Sequence, residues 1–200
     1  MSLRQIAGAG VFAMVLGVAC LPAWASQHLW GISELYSNAD GTVQFLELFD
    51  ASDFEHLVGG FTIFTYNSDQ SQQHSFTFPS NLTTFFTANH HLLLATSAFA
   101  SLPDAPTPDF TIPDGFLFVD GGRVSLPFSI MPNSEVTYTS LPTDGVLALS
   151  VGSDGTTITI TTNSPTNFAG QTGTVPEPVS GVIVGLGSLM LAASCRRRRG

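Results

Sequence analysis

Two uninterrupted apolar stretches, residues 6–21 and 179–195, bracket a chain whose middle changes character every few residues. In that middle, hydrophobic residues come in short runs rich in Phe, Thr, Ile and Val, broken by Asp-Gly, Gly-Gly and Pro. Alternation over four to eight residues marks strands, and no segment keeps the spacing of a long amphipathic helix. Ten strands are predicted: 29–36, 43–50, 60–66, 73–78, 91–96, 115–120, 123–126, 135–138, 145–151 and 156–161. Strands this short and numerous point to an all-β sandwich or barrel, and ten of them favour two stacked sheets. The Pro-rich stretch 97–113 reads as a surface crossover between those sheets.

Local turn chemistry fixes two registers. Around Ser153-Asp154-Gly155-Thr156, Asp-Gly favours the positive φ angles of a two-residue turn. That turn pairs Val151 with Ile158 and Leu149 with Ile160 on an apolar face, and Ser150 with Thr159 on a wet one. If Asp40 and Gly41 form a similar loop, Tyr36 faces Phe45, Ile32 faces Phe49, and Glu34 faces Glu47. Like charges directly opposite each other destabilise a sheet, so that last pair needs compensation. A shared proton, a hard cation such as Ca²⁺, or hydrogen bonds from backbone and hydroxyl donors would each supply it, and a longer loop with another register would remove the conflict.

Asp50, Asp53 and Glu55 offer further oxygen ligands around one turn, which with Glu34 and Glu47 are the candidate Ca²⁺ ligands; the alternative is a set of solvated turn acids. A Gly121-Gly122 turn would set Arg123 opposite Asp120 as a local ion pair. His28, His56, His74, His90 and His91 are scattered, with no pair at metal-ligand spacing on one strand face. No nucleophile-elbow, zinc-protease or catalytic-cysteine motif is present, so no enzymatic activity is expected.

The termini change the compartment. Arg4 precedes the first apolar stretch and Ala23-Trp24-Ala25 gives the small-x-small pattern of signal peptidase, so residues 1–25 read as a signal peptide with Ala23 and Ala25 at its cleavage site. Val18-Ala19-Cys20 leaves lipidation of Cys20 open as a rival. At the other end, Val175-Pro176-Glu177-Pro178 leads into 17 uncharged positions and then Arg196, Arg197, Arg198 and Arg199. The prolines keep the motif extended, the apolar run is close to the shortest helix that crosses a bilayer, and the arginines are retained on the cytoplasmic side. The body between therefore lies outside: residues 26–162 as the β domain and 163–174 as a flexible tether or, alternatively, a last irregular segment lying over the sandwich.

Both cysteines, Cys20 and Cys195, fall in the terminal segments, so the body has no disulfide to form. Of the six basic residues only Arg123 belongs to the body, against 14 of the 15 acids, a net charge near −13 compared with −9 for the chain. Such a surface repels phosphate backbones, and nucleic acid is not an expected partner.

The ordered triplet of Pro176-Glu177-Pro178, short apolar helix and arginine cluster resembles the PEP-CTERM sorting signal of Gram-negative bacteria. That resemblance implies processing by an exosortase, transient anchoring in the inner membrane, and delivery to the envelope, surface or exterior in bacteria that make exopolysaccharide. A second resemblance lies in Ile32-Ser33-Glu34-Leu35-Tyr36, Gln44-Phe45-Leu46-Glu47-Leu48-Phe49-Asp50 and Leu57-Val58-Gly59-Gly60-Phe61. These are similar to the opening of a lamin-tail domain, with Phe61 in place of the usual tryptophan, and imply an immunoglobulin-like β-sandwich. The implied role is structural or adhesive; the alternative is a module that binds polysaccharide or Ca²⁺.

Overall fold

The computed structural model describes residues 28–175. The predicted signal peptide, its cleavage site at Ala23 and Ala25, the apolar helix 179–195 and Pro176 to Arg199 all lie outside them. Among the described residues no helix is long and apolar enough to cross a membrane.

The body is all-β. Its strands are β1 (Gly31–Ser37), β2 (Gln44–Asp50), β3 (Thr62–Asn67), β4 (Gln73–Thr77), β5 (His90–Ala95), β6 (Phe110–Thr111), β7 (Gly122–Ser125), β8 (Glu135–Tyr138), β9 (Leu147–Val151) and β10 (Ile158–Thr162). One helical turn, α1 (Ser97–Ala100), follows β5. The strands form a six-stranded sheet in the order β10-β9-β1-β2-β5-β6 and a four-stranded sheet in the order β4-β3-β7-β8. All pairings are antiparallel except β5 with β6. Ile32, Leu46, Leu92 and Leu149 of the larger sheet share one buried cluster with Ile63, Val124 and Val136 of the smaller, so the sheets enclose a common core.

The larger sheet is covered on its other face too. Tyr36, Phe45, Leu93, Ala95 and Ala148 form a second cluster with Phe99 of α1 and with Val175. Two-sided burial leaves six of the seven residues in each of β1 and β2 buried, Glu34, Glu47 and Asp50 among them. It also means that segment 163–175, for which a tether was the leading expectation, is laid against the sheet as the irregular covering segment.

The predicted β9–β10 register holds throughout and the β1–β2 register holds from Glu34 to Ser37, both on wider loops. Ser150 faces Thr159 and Glu34 faces Glu47. The closing bonds run from Asn38 N to Val43 O and from Gly152 N to Thr157 O, so each loop has four residues and not two. Adding one residue on each side leaves the facing pairs unchanged. A third loop, between β3 and β4, has the same form: Asn67 N bonds Gln72 O, and the third loop residue is left-handed in all three cases, Gly41 at φ 73°, Gln70 at 59° and Gly155 at 70°. In each an aspartate, Asp40, Asp69 or Asp154, accepts the N–H two residues on.

Three expectations are corrected. Ile32 faces Leu48, not Phe49, because Ser33 is an extra residue in β1, a bulge that lets Ile32 and Leu35 both turn to the core. Residues 115–120 form no strand. Phe116 and Leu117 are buried there, but side chains take the place of a ladder: Gln44 donates to Leu117 O at 2.8 Å and accepts from Leu117 N at 2.9 Å, and Thr65 Oγ1 donates to Phe116 O at 2.6 Å. The edge position is instead taken by β6, inside the stretch read as a crossover. Finally, Arg123 pairs with Glu135 at 3.3 Å, not with Asp120, and lies 4.4 Å over the Tyr66 ring.

Candidate functional site

Glu34 and Glu47 stand side by side on the face of the larger sheet turned away from the common core, the same face as Tyr36 and Phe45. Segment 163–175 lies over them and leaves Glu34 5% and Glu47 2% exposed. All four carboxylate oxygens meet protein donors. Glu34 Oε1 accepts from Ser164 N at 2.9 Å and its Oε2 from Ser164 Oγ at 3.0 Å. Glu47 Oε1 accepts from Ser33 Oγ at 2.8 Å and from His91 Nδ1 at 2.7 Å, while its Oε2 accepts from Thr166 N at 2.6 Å. Backbone and hydroxyl donors, one of the open explanations for this pair, are what the site contains, together with a histidine.

Electrostatics follow from that enclosure. Burial, opposed by the Ser164 donors and reinforced by the negative charge of Glu47, pushes the Glu34 pKa up from its ordinary 4.5 to about 7. The hydrogen bond to Glu47 holds His91 above the usual histidine range, partly offset by its own burial. Glu34 and His91 therefore each hold a proton to higher pH than an ordinary glutamate or histidine does.

The covering segment is a built element. Thr166 and Thr172 bridge, Asn167 N–H bonds Gln171 O, and Gly170 supplies the left-handed φ of 76° at its turn. Further along, Asp109 Oδ2 accepts from both Leu93 N and Phe168 N, and the His90 ring stacks on Phe168 at 4.4 Å while donating to its carbonyl. Val175 is buried, with its N–H 2.6 Å from Asn163 Oδ1. A cavity of about 240 Å³ lies beside Val175, walled by Tyr36, Val43 and Leu102.

No family model, curated protein or solved structure matches the chain.

The other candidate ligands are dispersed. Asp50 Oδ1 accepts from Ser52 N, Asp53 Oδ1 accepts from Thr87 N and Ala88 N, and Glu55 accepts from His28 Nδ1 at 2.6 Å and Leu29 N. Among the described residues no three acidic, histidine or cysteine side chains group as a metal site. Asp50 is fully buried, with Oδ2 unpartnered, and burial raises its pKa. These acids tie loops and the start of β1 together.

Sequence reasoning reached Glu34 and Glu47 but missed His91, Ser33, Ser164 and Thr166. His91 becomes visible only once β2 pairs with β5, which sets Phe49 against His91 and brings that ring toward Glu47. Nothing local in the sequence announces that pairing.

Proposed function

We propose that this chain is an exported, non-catalytic protein of the cell surface or extracellular matrix, a PEP-CTERM substrate processed by an exosortase, with a body of the lamin-tail, immunoglobulin-like kind. The observation that carries the reading is the order of parts after residue 174: Pro176-Glu177-Pro178, an uncharged run of bilayer length, then four arginines. The geometry adds a mechanical consequence. The strap is anchored by Glu34, Glu47 and Asp109 and at Val175, the first residue of the Val175-Pro176-Glu177-Pro178 motif, so the sorting signal begins at a fixed point of the body. Signal peptidase acts at the other end, and the inner membrane holds the chain until the tail is processed. Replacing Pro176, Glu177 and Pro178 with alanine is expected to leave the full-length chain in the membrane fraction. Release at the native rate would overturn exosortase handling.

A second reading, adhesion to exopolysaccharide, is favoured by three exposed phenylalanines. Phe54, 69% exposed, holds a left-handed φ of 74°, a strained state for a bulky side chain. Its N–H bonds Phe85 O at 2.8 Å, and its ring lies 5.5 Å from that of Phe85, which adjoins Phe86 at 4.2 Å. A fixed aromatic surface suits the apolar faces of sugar rings. Replacing all three by alanine should lower retention on the immobilised native polysaccharide by at least about tenfold without lowering the melting temperature, since exposed side chains contribute little to stability. Equal retention would count against this reading.

A further inference from the structure

The outer edge of the larger sheet carries a strand that is its own complement. Residues 156–162 read Thr-Thr-Ile-Thr-Ile-Thr-Thr, a palindrome about Thr159. Among the described residues β10 pairs only with β9 and closes the sheet at that end. Every residue from 156 to 162 is exposed, including Ile158 at 36% and Ile160 at 63%. The expectation of one apolar and one wet face is thus met in register but not in burial. Ile158 and Ile160 lie on the core-facing side, beside Val151 and Leu149, yet extend past the cover that those two receive.

Natural edge strands are blunted by charge, proline or a bulge, and this one has none of them. It is an uncharged strip on a body of net charge near −13, so it is a place where two copies can approach without setting acids against acids. Backbone parity agrees. Gly152 N bonds Thr157 O and Asn163 N bonds Val146 O, so the odd residues of this stretch turn toward β9 and the N–H and C=O groups of Ile158, Ile160 and Thr162 point outward.

We infer that β10 is a homotypic interface: two copies of this chain join edge to edge, antiparallel, with a two-fold axis through Thr159. In that register Ile158 faces Ile160 of the second copy in a hydrogen-bonded pair, Thr159 faces its own counterpart in a non-hydrogen-bonded pair, and Thr157 faces Thr161. The four isoleucines cover one another on one side and the threonines meet on the other, as self-complementary closure requires. One short strand buries less than a standard interface, so the contact is weak and suits chains held at high local density. This pairing is independent of how the chain is exported or sorted.

The test uses the full-length chain in detergent with Cys20 and Cys195 replaced by serine. Sedimentation over a concentration series should show a monomer–dimer equilibrium. The pair Ile158→Lys and Ile160→Lys, which sets like charges opposite each other, should weaken it by at least about tenfold with the melting temperature unchanged. Thr159→Cys should form an intermolecular disulfide, because facing Cα atoms in a non-hydrogen-bonded pair are about 4.5 Å apart, while Thr161→Cys alone should cross-link at least about tenfold more slowly. Mixing Thr157→Cys with Thr161→Cys chains should restore cross-linking between the two. A chain monomeric at every concentration, a dimer untouched by the lysines, or equal cross-linking from positions 159 and 161 would each overturn the assignment.

Discussion

Glu34 carries the electrostatic cost of the strap. Its two oxygens are spent on Ser164, and it shares its surroundings with Glu47, so the charged form is the expensive one. Displacement from 4.5 to about 7 corresponds, at about 1.4 kcal/mol per pH unit, to roughly 3 kcal/mol of stability lost when the group ionises in the folded state. Glutamine keeps the shape, accepts the Ser164 N–H and never ionises. Glu34→Gln is therefore expected to raise stability by about 2–3 kcal/mol near pH 8 and to leave it almost unchanged near pH 4, where the native carboxyl is already neutral. Glu34→Ala differs, because it strands the Ser164 N–H beneath the strap and should be about 1–3 kcal/mol less stable than Glu34→Gln at either pH. Denaturant melts of the three proteins at both pH values decide the matter. A glutamine variant destabilised at pH 8 and unchanged at pH 4 would show that the Glu34 charge stabilises the fold, and would overturn this account.

At the scale of elements, what was legible is what is local. Asp-Gly flanked by alternating residues fixes a hairpin within a dozen positions, and the facing pairs Glu34–Glu47 and Ser150–Thr159 follow even though both loops are wider than expected. The bulge at Ser33 was invisible because a single added residue leaves alternation almost intact while moving Ile32 from Phe49 to Leu48. Residues 115–120 look like a strand because Phe116 and Leu117 are apolar and buried, yet Gln44 and Thr65 satisfy their backbone from elements 73 and 51 residues away. The strap was hardest to read. Its low apolar content, with Pro165, Gly170 and Gly173, matches that of a tether, and what holds it are carboxylates up to 130 residues distant in the chain. Burial of polar residues in such a segment depends on partners supplied by the fold, which composition does not encode.

On the scale of the whole molecule, local and global charge push the same way. Glu34 and His91 have raised folded-state pKa values, so their contribution is complete below the unfolded values and is lost as pH rises, for Glu34 between 4.5 and about 7 and for His91 from 6.5 upward. Asp50 and Asp109, raised by burial, have the same sign. The turn aspartates Asp40, Asp69, Asp144 and Asp154 are lowered by the N–H and hydroxyl groups that they cap, so their contribution is present above 3.8 and disappears as pH falls further. Stability should peak in mildly acidic solution and decline toward pH 8. Self-repulsion of a body with 14 acids and one arginine also grows over that range, and salt separates the two causes. Surface repulsion is screened within about 8–10 Å at moderate ionic strength, whereas Glu34 and Glu47 sit beneath the strap and are screened far less. The melting temperature is therefore expected to fall between about pH 5 and about pH 8, to keep most of that fall in high salt, and to lose most of it in Glu34→Gln. A slope abolished by salt alone would place the effect on the surface and remove the buried pair from the account.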